Sequence, residues 1–246
     1  MKKMIGVVGG VGSYAGIDLI RKIYDQTEVT CDQDHLSVSM RSIPHKIADR
    51  TEFLLNQDKT NPGFAIAKII TDLVNCGSQI IAIPCNTAHA SPIFDVVKTN
   101  IPKSCQLLHL IEEVGSYVNI HYPNIQKVGV LATSGTLFSK VYSKTLKDFN
   151  IDVIYPDDKI QNQFVQPAIY NKDYGIKIQS NPVTEQAKND LLVAAGHLIE
   201  LGAEAIILGC TEIPMALTHK SILEKPAIDA TFILASALIR ESKETD

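Results

Sequence analysis

Cys85 and Cys210 are the residues whose type and spacing point most directly to chemistry. Cys85 lies in Pro84-Cys85-Asn86-Thr87-Ala88-His89, and Cys210 in Gly209-Cys210-Thr211-Glu212-Ile213-Pro214. Each follows a short apolar run and precedes a polar one. In parallel α/β units, ligands bind at the C-terminal ends of strands. Backbone N–H groups of a following turn hold anions and depress a thiol pKa, which favours a thiolate. A lone cysteine in such a place is more simply a small buried hydrophobe. Two at matching positions favour function. Cys31, Cys76 and Cys105 lack this setting and read as structural or incidental.

The same motifs allow a second use. Cys85 and His89 at i and i+4, with Cys210 and Glu212, are four side chains of types that ligate zinc. Spacing does not fix a tetrahedral site, so the metal-free reading is preferred, with His89 capping a helix or supporting the site.

Further polar candidates surround these motifs. The loop Gly9-Gly10-Val11-Gly12-Ser13-Tyr14-Ala15 fits G-x-G-x-x-A, a dinucleotide fingerprint. The acidic residues Glu28, Asp32 and Asp34 do not end a clear second strand, however. A glycine turn at Gly10 that admits a small carboxylate to the backbone explains the loop equally well. Arg50 and Lys177 are basic residues of the kind usually left solvated. Thr133, Ser134 and Thr136 follow a strand and can donate to a carboxylate or simply cap a helix.

The elements that must position these residues alternate in type. Apolar runs predict strands at 4–8, 36–40, 80–83, 107–111, 128–131, 152–154, 205–208 and 227–228, with helices including 63–75, 184–201 and 231–241. Near-continuous apolar strands between helices indicate an α/β fold with mostly parallel sheets covered on both faces. The chain also repeats itself. Ile5-Gly6-Val7-Val8 parallels Val128-Gly129-Val130-Leu131, and the run ending at Cys85 parallels the run ending at Cys210, at offsets of 123 and 125 residues. A duplicated unit makes the two cysteines equivalent. The expected architecture is two pseudo-symmetric doubly wound domains, 1–103 with 224–246 and 104–223, with the active site in the cleft between them.

Bulk properties exclude several classes. A net charge of −4 over 246 residues leaves no electrostatic footprint for nucleic acid or a membrane surface. There is no Trp, and the eight Tyr and seven Phe are scattered, which disfavours a base-stacking platform. Lys2, Lys3 and the apolar run after them mimic a signal peptide, but the glycines from Gly6 to Gly12 and the lack of a cleavage pattern favour a buried first strand. Five cysteines without a CxxC are expected as free thiols in a reducing cytoplasm.

Together these segments resemble the aspartate/glutamate racemase superfamily, and within it the aspartate racemases. The matching pieces are Gly9-Gly10-Val11-Gly12, Asp32-Gln33-Asp34-His35, Asp49-Arg50-Thr51, the two cysteine motifs, and Gly175-Ile176-Lys177. Ser13 and Ala48 stand where many members have Pro. The resemblance implies two α/β domains, a homodimer, and no pyridoxal phosphate, metal or nucleotide. It implies that one of Cys85 and Cys210 removes an α-proton while the other delivers one. Gly10, Asn86, Thr87, Thr133, Ser134, Thr211 and Glu212 would line the substrate, and Arg50 and Lys177 would hold the side-chain carboxylate of aspartate. Glutamate racemases typically carry His where this chain has Glu212. The alternatives are a broad-specificity or glutamate racemase, another two-cysteine isomerase, a non-catalytic carboxylate-binding protein and, last, a Rossmann dehydrogenase.

Overall fold

A computed structural model describes residues 2–243. The chain divides into two compact units, Met1–Glu113 with Thr231–Asp246, and Val114–Ala230.

The first unit is built on β1 (Ile5–Gly9), α1 (Ser13–Asp25), β2 (Val38–Ser42), α2 (Arg50–Leu54), α3 (Pro62–Asn75), β3 (Ile80–Ala82), α4 (Ser91–Asn100), β4 (Gln106–Leu107) and the start of α5 (Leu110–His121). Its sheet is parallel, in the order β2-β1-β3-β4. Successive strand side chains point to opposite faces, and every residue of β1 and β3 is buried, so this sheet is covered on both sides. Helix α3 opens with Asn61 accepting from the Gly63 N–H at 2.8 Å and Pro62 in the first turn, where a missing N–H is harmless. It turns Ile66, Ile69, Ile70 and Leu73 inward, against a core that also contains Ile81, Ile83 and Cys85. Full burial of each such aliphatic chain stabilises by about 2–3 kcal/mol.

The second unit repeats this plan. It contains β5 (Lys127–Leu131), α6 (Ser134–Ser139), α7 (Val141–Leu146), β6 (Asp152–Ile154), α8 (Asp158–Ile160), α9 (Gln166–Tyr170), α10 (Glu185–Glu200), β7 (Ala205–Leu208), α11 (Ile213–Ala216), β8 (Ser221–Ile222) and β9 (Lys225–Asp229). A last helix, α12 (Ala230–Ser242), returns the chain to the first unit. The second sheet runs β6-β5-β7-β9-β8, parallel but for β8. Without β8, its order matches that of the first sheet strand for strand. Cys85 follows β3 and Cys210 follows β7, the equivalent strands.

The expected α/β class with mostly parallel sheets is therefore found. Two local expectations change. The run 107–111 is not one strand, because β4 ends at Leu107 and Leu110 begins α5. Leu110, Ile111, Val114 and Val118 are all fully buried, a helical spacing that a short apolar run cannot reveal. The antiparallel β8–β9 hairpin was not anticipated. Among the described residues no helix is long and apolar enough to cross a membrane.

Candidate active site

In the first unit, the chain leaves β3 through Ile83 and Pro84 and enters a 3₁₀ turn, Asn86–His89, with Cys85 at its N-cap. The Cys85 N–H donates to Ile83 O at 2.8 Å, and Cys85 O accepts from the Ala88 N–H at 3.2 Å. Cys85, Asn86, Thr87 and His89 are all buried. Helix α2 packs against this turn. Asp49 caps α2 by accepting from the Thr51 and Glu52 N–H groups at 2.8 and 3.0 Å. Capping fixes Arg50 as the first helical residue. Its guanidinium donates to Val11 O at 2.9 Å and Ala48 O at 3.4 Å, tying α2 to the glycine loop after β1. Gly10 in that loop has φ 82°, and a Cβ there would lie 2.8 Å from Pro44 N. Only glycine fits that backbone and that approach. The fold thus brings the Gly10 loop, Arg50, Cys85, Asn86 and Thr87 into one neighbourhood.

In the second unit, Thr133 caps α6, its hydroxyl accepting from the Thr136 N–H at 3.4 Å. Ser134 donates from both its N–H and its hydroxyl to Gln166 Oε1, at 3.0 and 3.1 Å. Since β5 and β7 are neighbours, Thr133 and Cys210 leave the sheet at adjacent strand ends. Glu212 gathers the rest. Its Oε2 accepts from Cys210 Sγ at 3.0 Å and from Thr211 Oγ1 at 3.3 Å, and its Oε1 pairs with Lys177 Nζ at 2.9 Å. Lys177 also lies 5.2 Å from the centre of the Tyr170 ring, a cation–π distance.

Electrostatics set the state of this cluster. Burial, and then the Glu212 charge, push the Cys210 thiol well above its usual range, with Lys177 offsetting part of the rise. At neutral pH Cys210 is therefore a thiol, and its proton points to Glu212. His89 turns its Nδ1 to the backbone. Its Nδ1 lies 2.9 Å from Cys85 O, and burial followed by the neighbouring His109 lowers its pKa to about 3. Among the described residues no three His, Cys, Asp or Glu side chains are grouped as a metal site.

Two thiols at equivalent sheet ends, each in a buried polar turn, limit the families that fit. The model of the Asp/Glu/hydantoin racemase family matches residues 8–238. The chain belongs to this family, and it is an amino-acid racemase. Over 241 residues it is 29% identical to the broad specificity amino-acid racemase RacX of Bacillus subtilis, covering 96% of each chain. A glutamate racemase of Listeria monocytogenes is 27% identical over 251 residues, covering 100% of this chain and 79% of its own. The solved Picrophilus torridus aspartate racemase superposes with a TM-score of 0.80 at 28% identity, covering 98% of this chain and 94% of that one.

Several residues around the racemase's cysteines escaped the sequence. Gln166 fixes Ser134, and Gln161 Nε2 donates to Ala132 O at 3.0 Å, just after β5. Neither glutamine carries a motif. Tyr142 is fully buried, and burial first, then its neighbours Tyr155, Cys210 and Asp229, push its phenol pKa well above the usual range. Its position near Cys210 has no local sequence signal. Lys177 and Glu212 were both expected at the site, but not as partners of one another.

Proposed function

We propose that this racemase interconverts L- and D-aspartate without a cofactor, using Cys85 and Cys210 as its two acid–base groups. The observation that carries this reading is the placement of both thiols at equivalent strand ends of a repeated unit. Inverting Cα requires a proton to leave one face and another to arrive at the opposite face. In one direction the Cys85 thiolate takes the α-proton, and the C–H electron pair moves into the α-carboxylate. The Cys210 thiol then gives its proton to the other face and becomes the thiolate. The reverse reaction exchanges the two roles. The raised Cys210 pKa suits it to start as the donor. N–H and hydroxyl donors around Asn86, Thr87, Thr133, Ser134 and Thr211 stabilise the charge that develops on the α-carboxylate. Arg50 and Lys177 supply the positive charge that a second carboxylate needs, and the Gly10 turn admits the substrate to the backbone. The Picrophilus relative, named an aspartate racemase, supports this choice. The same reading includes a cytoplasmic homodimer.

One finding favours a second substrate range. The Bacillus relative is named for broad specificity and matches over nearly the full length of both chains. A racemisation screen over aspartate, glutamate and uncharged amino acids separates the two. Aspartate should lead the screen, and Cys85→Ala and Cys210→Ala should each lower its turnover by about 10²–10⁴-fold or more. Wild-type turnover in either variant would refute the two-thiol mechanism. Equal rates on uncharged amino acids would replace aspartate with the broad range.

A further inference from the structure

His89 is buried, and it stands four residues after Cys85 in the turn that carries the thiol. Its Nδ1 is 2.9 Å from Cys85 O, a carbonyl that also receives the Ala88 N–H. A carbonyl only accepts, so Nδ1 carries the proton. The ring has little freedom to turn away. It stacks on Phe94 with centroids 5.0 Å apart, and His109 meets its edge at 4.9 Å. Two donors on one carbonyl hold ψ of Cys85 and so the direction in which Cβ leaves the backbone. The other half has no matching side-chain donor. The residue four places after Cys210 is Pro214, whose ring fixes φ, and Cys210 O receives the Ile213 N–H at 3.0 Å.

We propose that His89 is a positioning residue for the reaction, clamping the Cys85 carbonyl through Nδ1 so that the thiol is held in its reacting direction. It is not the base that ionises the thiol, because it faces the carbonyl and not Sγ. The inference rests on the two-thiol reading of the site.

Two amide substitutions test it. In His89→Asn the side-chain nitrogen overlays Nδ1 and keeps the donor. In His89→Gln the nitrogen overlays Nε2 and loses it. His89→Asn should keep kcat within about twofold, whereas His89→Gln should lose about tenfold in kcat with KM within twofold. In a Cys210→Ser background, the plateau rate of Cys85 alkylation by iodoacetamide should change at least threefold in His89→Gln and return in His89→Asn. The pH midpoint of that alkylation should stay put in both. Equal kcat in the two variants overturns the clamp. A shifted midpoint also overturns it, because His89 would then act on the thiol's protonation. If wild-type protein exchanges no α-proton with any amino acid in D₂O, the two-thiol reading fails, and the alkylation plateau alone decides the clamp.

Discussion

The Cys210 thiol donates a hydrogen bond to the Glu212 carboxylate across 3.0 Å. An anion so close disfavours a second one on sulfur, so Glu212 helps to keep Cys210 protonated. Replacing Glu212 with Gln removes the charge and keeps the size. The Cys210 pKa should then fall, because Lys177 remains beside it and favours the thiolate. In a Cys85→Ser background, the alkylation midpoint of Cys210 should move to lower pH. A midpoint that rises or stays fixed would show that the Glu212 charge does not hold the proton on this thiol.

Lys177 and Glu212 should also be coupled in stability. The Glu212 side chain is 4% exposed and that of Lys177 19%. Removing one partner of a buried pair leaves a charge that water cannot reach. Lys177→Met should therefore lower stability by about 2–3 kcal/mol, the low end of such losses because the lysine is partly wet. The double variant Lys177→Met/Glu212→Gln removes both charges and should recover more than half of that loss. Urea unfolding of the four chains measures it. Losses that add within about 0.5 kcal/mol would mean that the pair is not coupled.

The sequence made the frame of the candidate site legible and left its closest contacts hidden, for physical reasons. β1, β5 and β7 are buried on both faces, so they stand out as apolar runs, and the repeat placed Cys85 and Cys210 at matching ends. The helix expected over 184–201 is found as α10, because its apolar residues recur at helical period, and Thr184 proves to be its N-cap. Lys177 and Glu212 are 35 residues apart, and only the folded second unit brings them together. The β8–β9 hairpin turns through Leu223 and Glu224, both with positive φ. Such turns usually announce themselves with Asn or Gly, and here neither residue is present.

His89 should make the protein acid-sensitive. Its folded pKa is about 3, against an ordinary 6.5, through burial first and then repulsion from His109. His109 in turn faces Glu112 and Lys98. Below about pH 6.5 the unfolded chain takes up a proton on His89, while the folded chain resists until about pH 3. Proton uptake by the unfolded state favours unfolding as the pH falls. The stabilising contribution of neutral His89 is thus complete above pH 6.5 and lost progressively towards pH 3. His89→Asn keeps the clamp and has nothing to titrate. Its stability should fall less than that of wild type between pH 7 and pH 4, by on the order of a few kcal/mol. Urea unfolding at pH 7, 5.5 and 4 on both chains gives the two curves. If they run parallel, His89 takes up its proton in the folded protein as readily as in the unfolded chain, and burial does not hold the ring neutral.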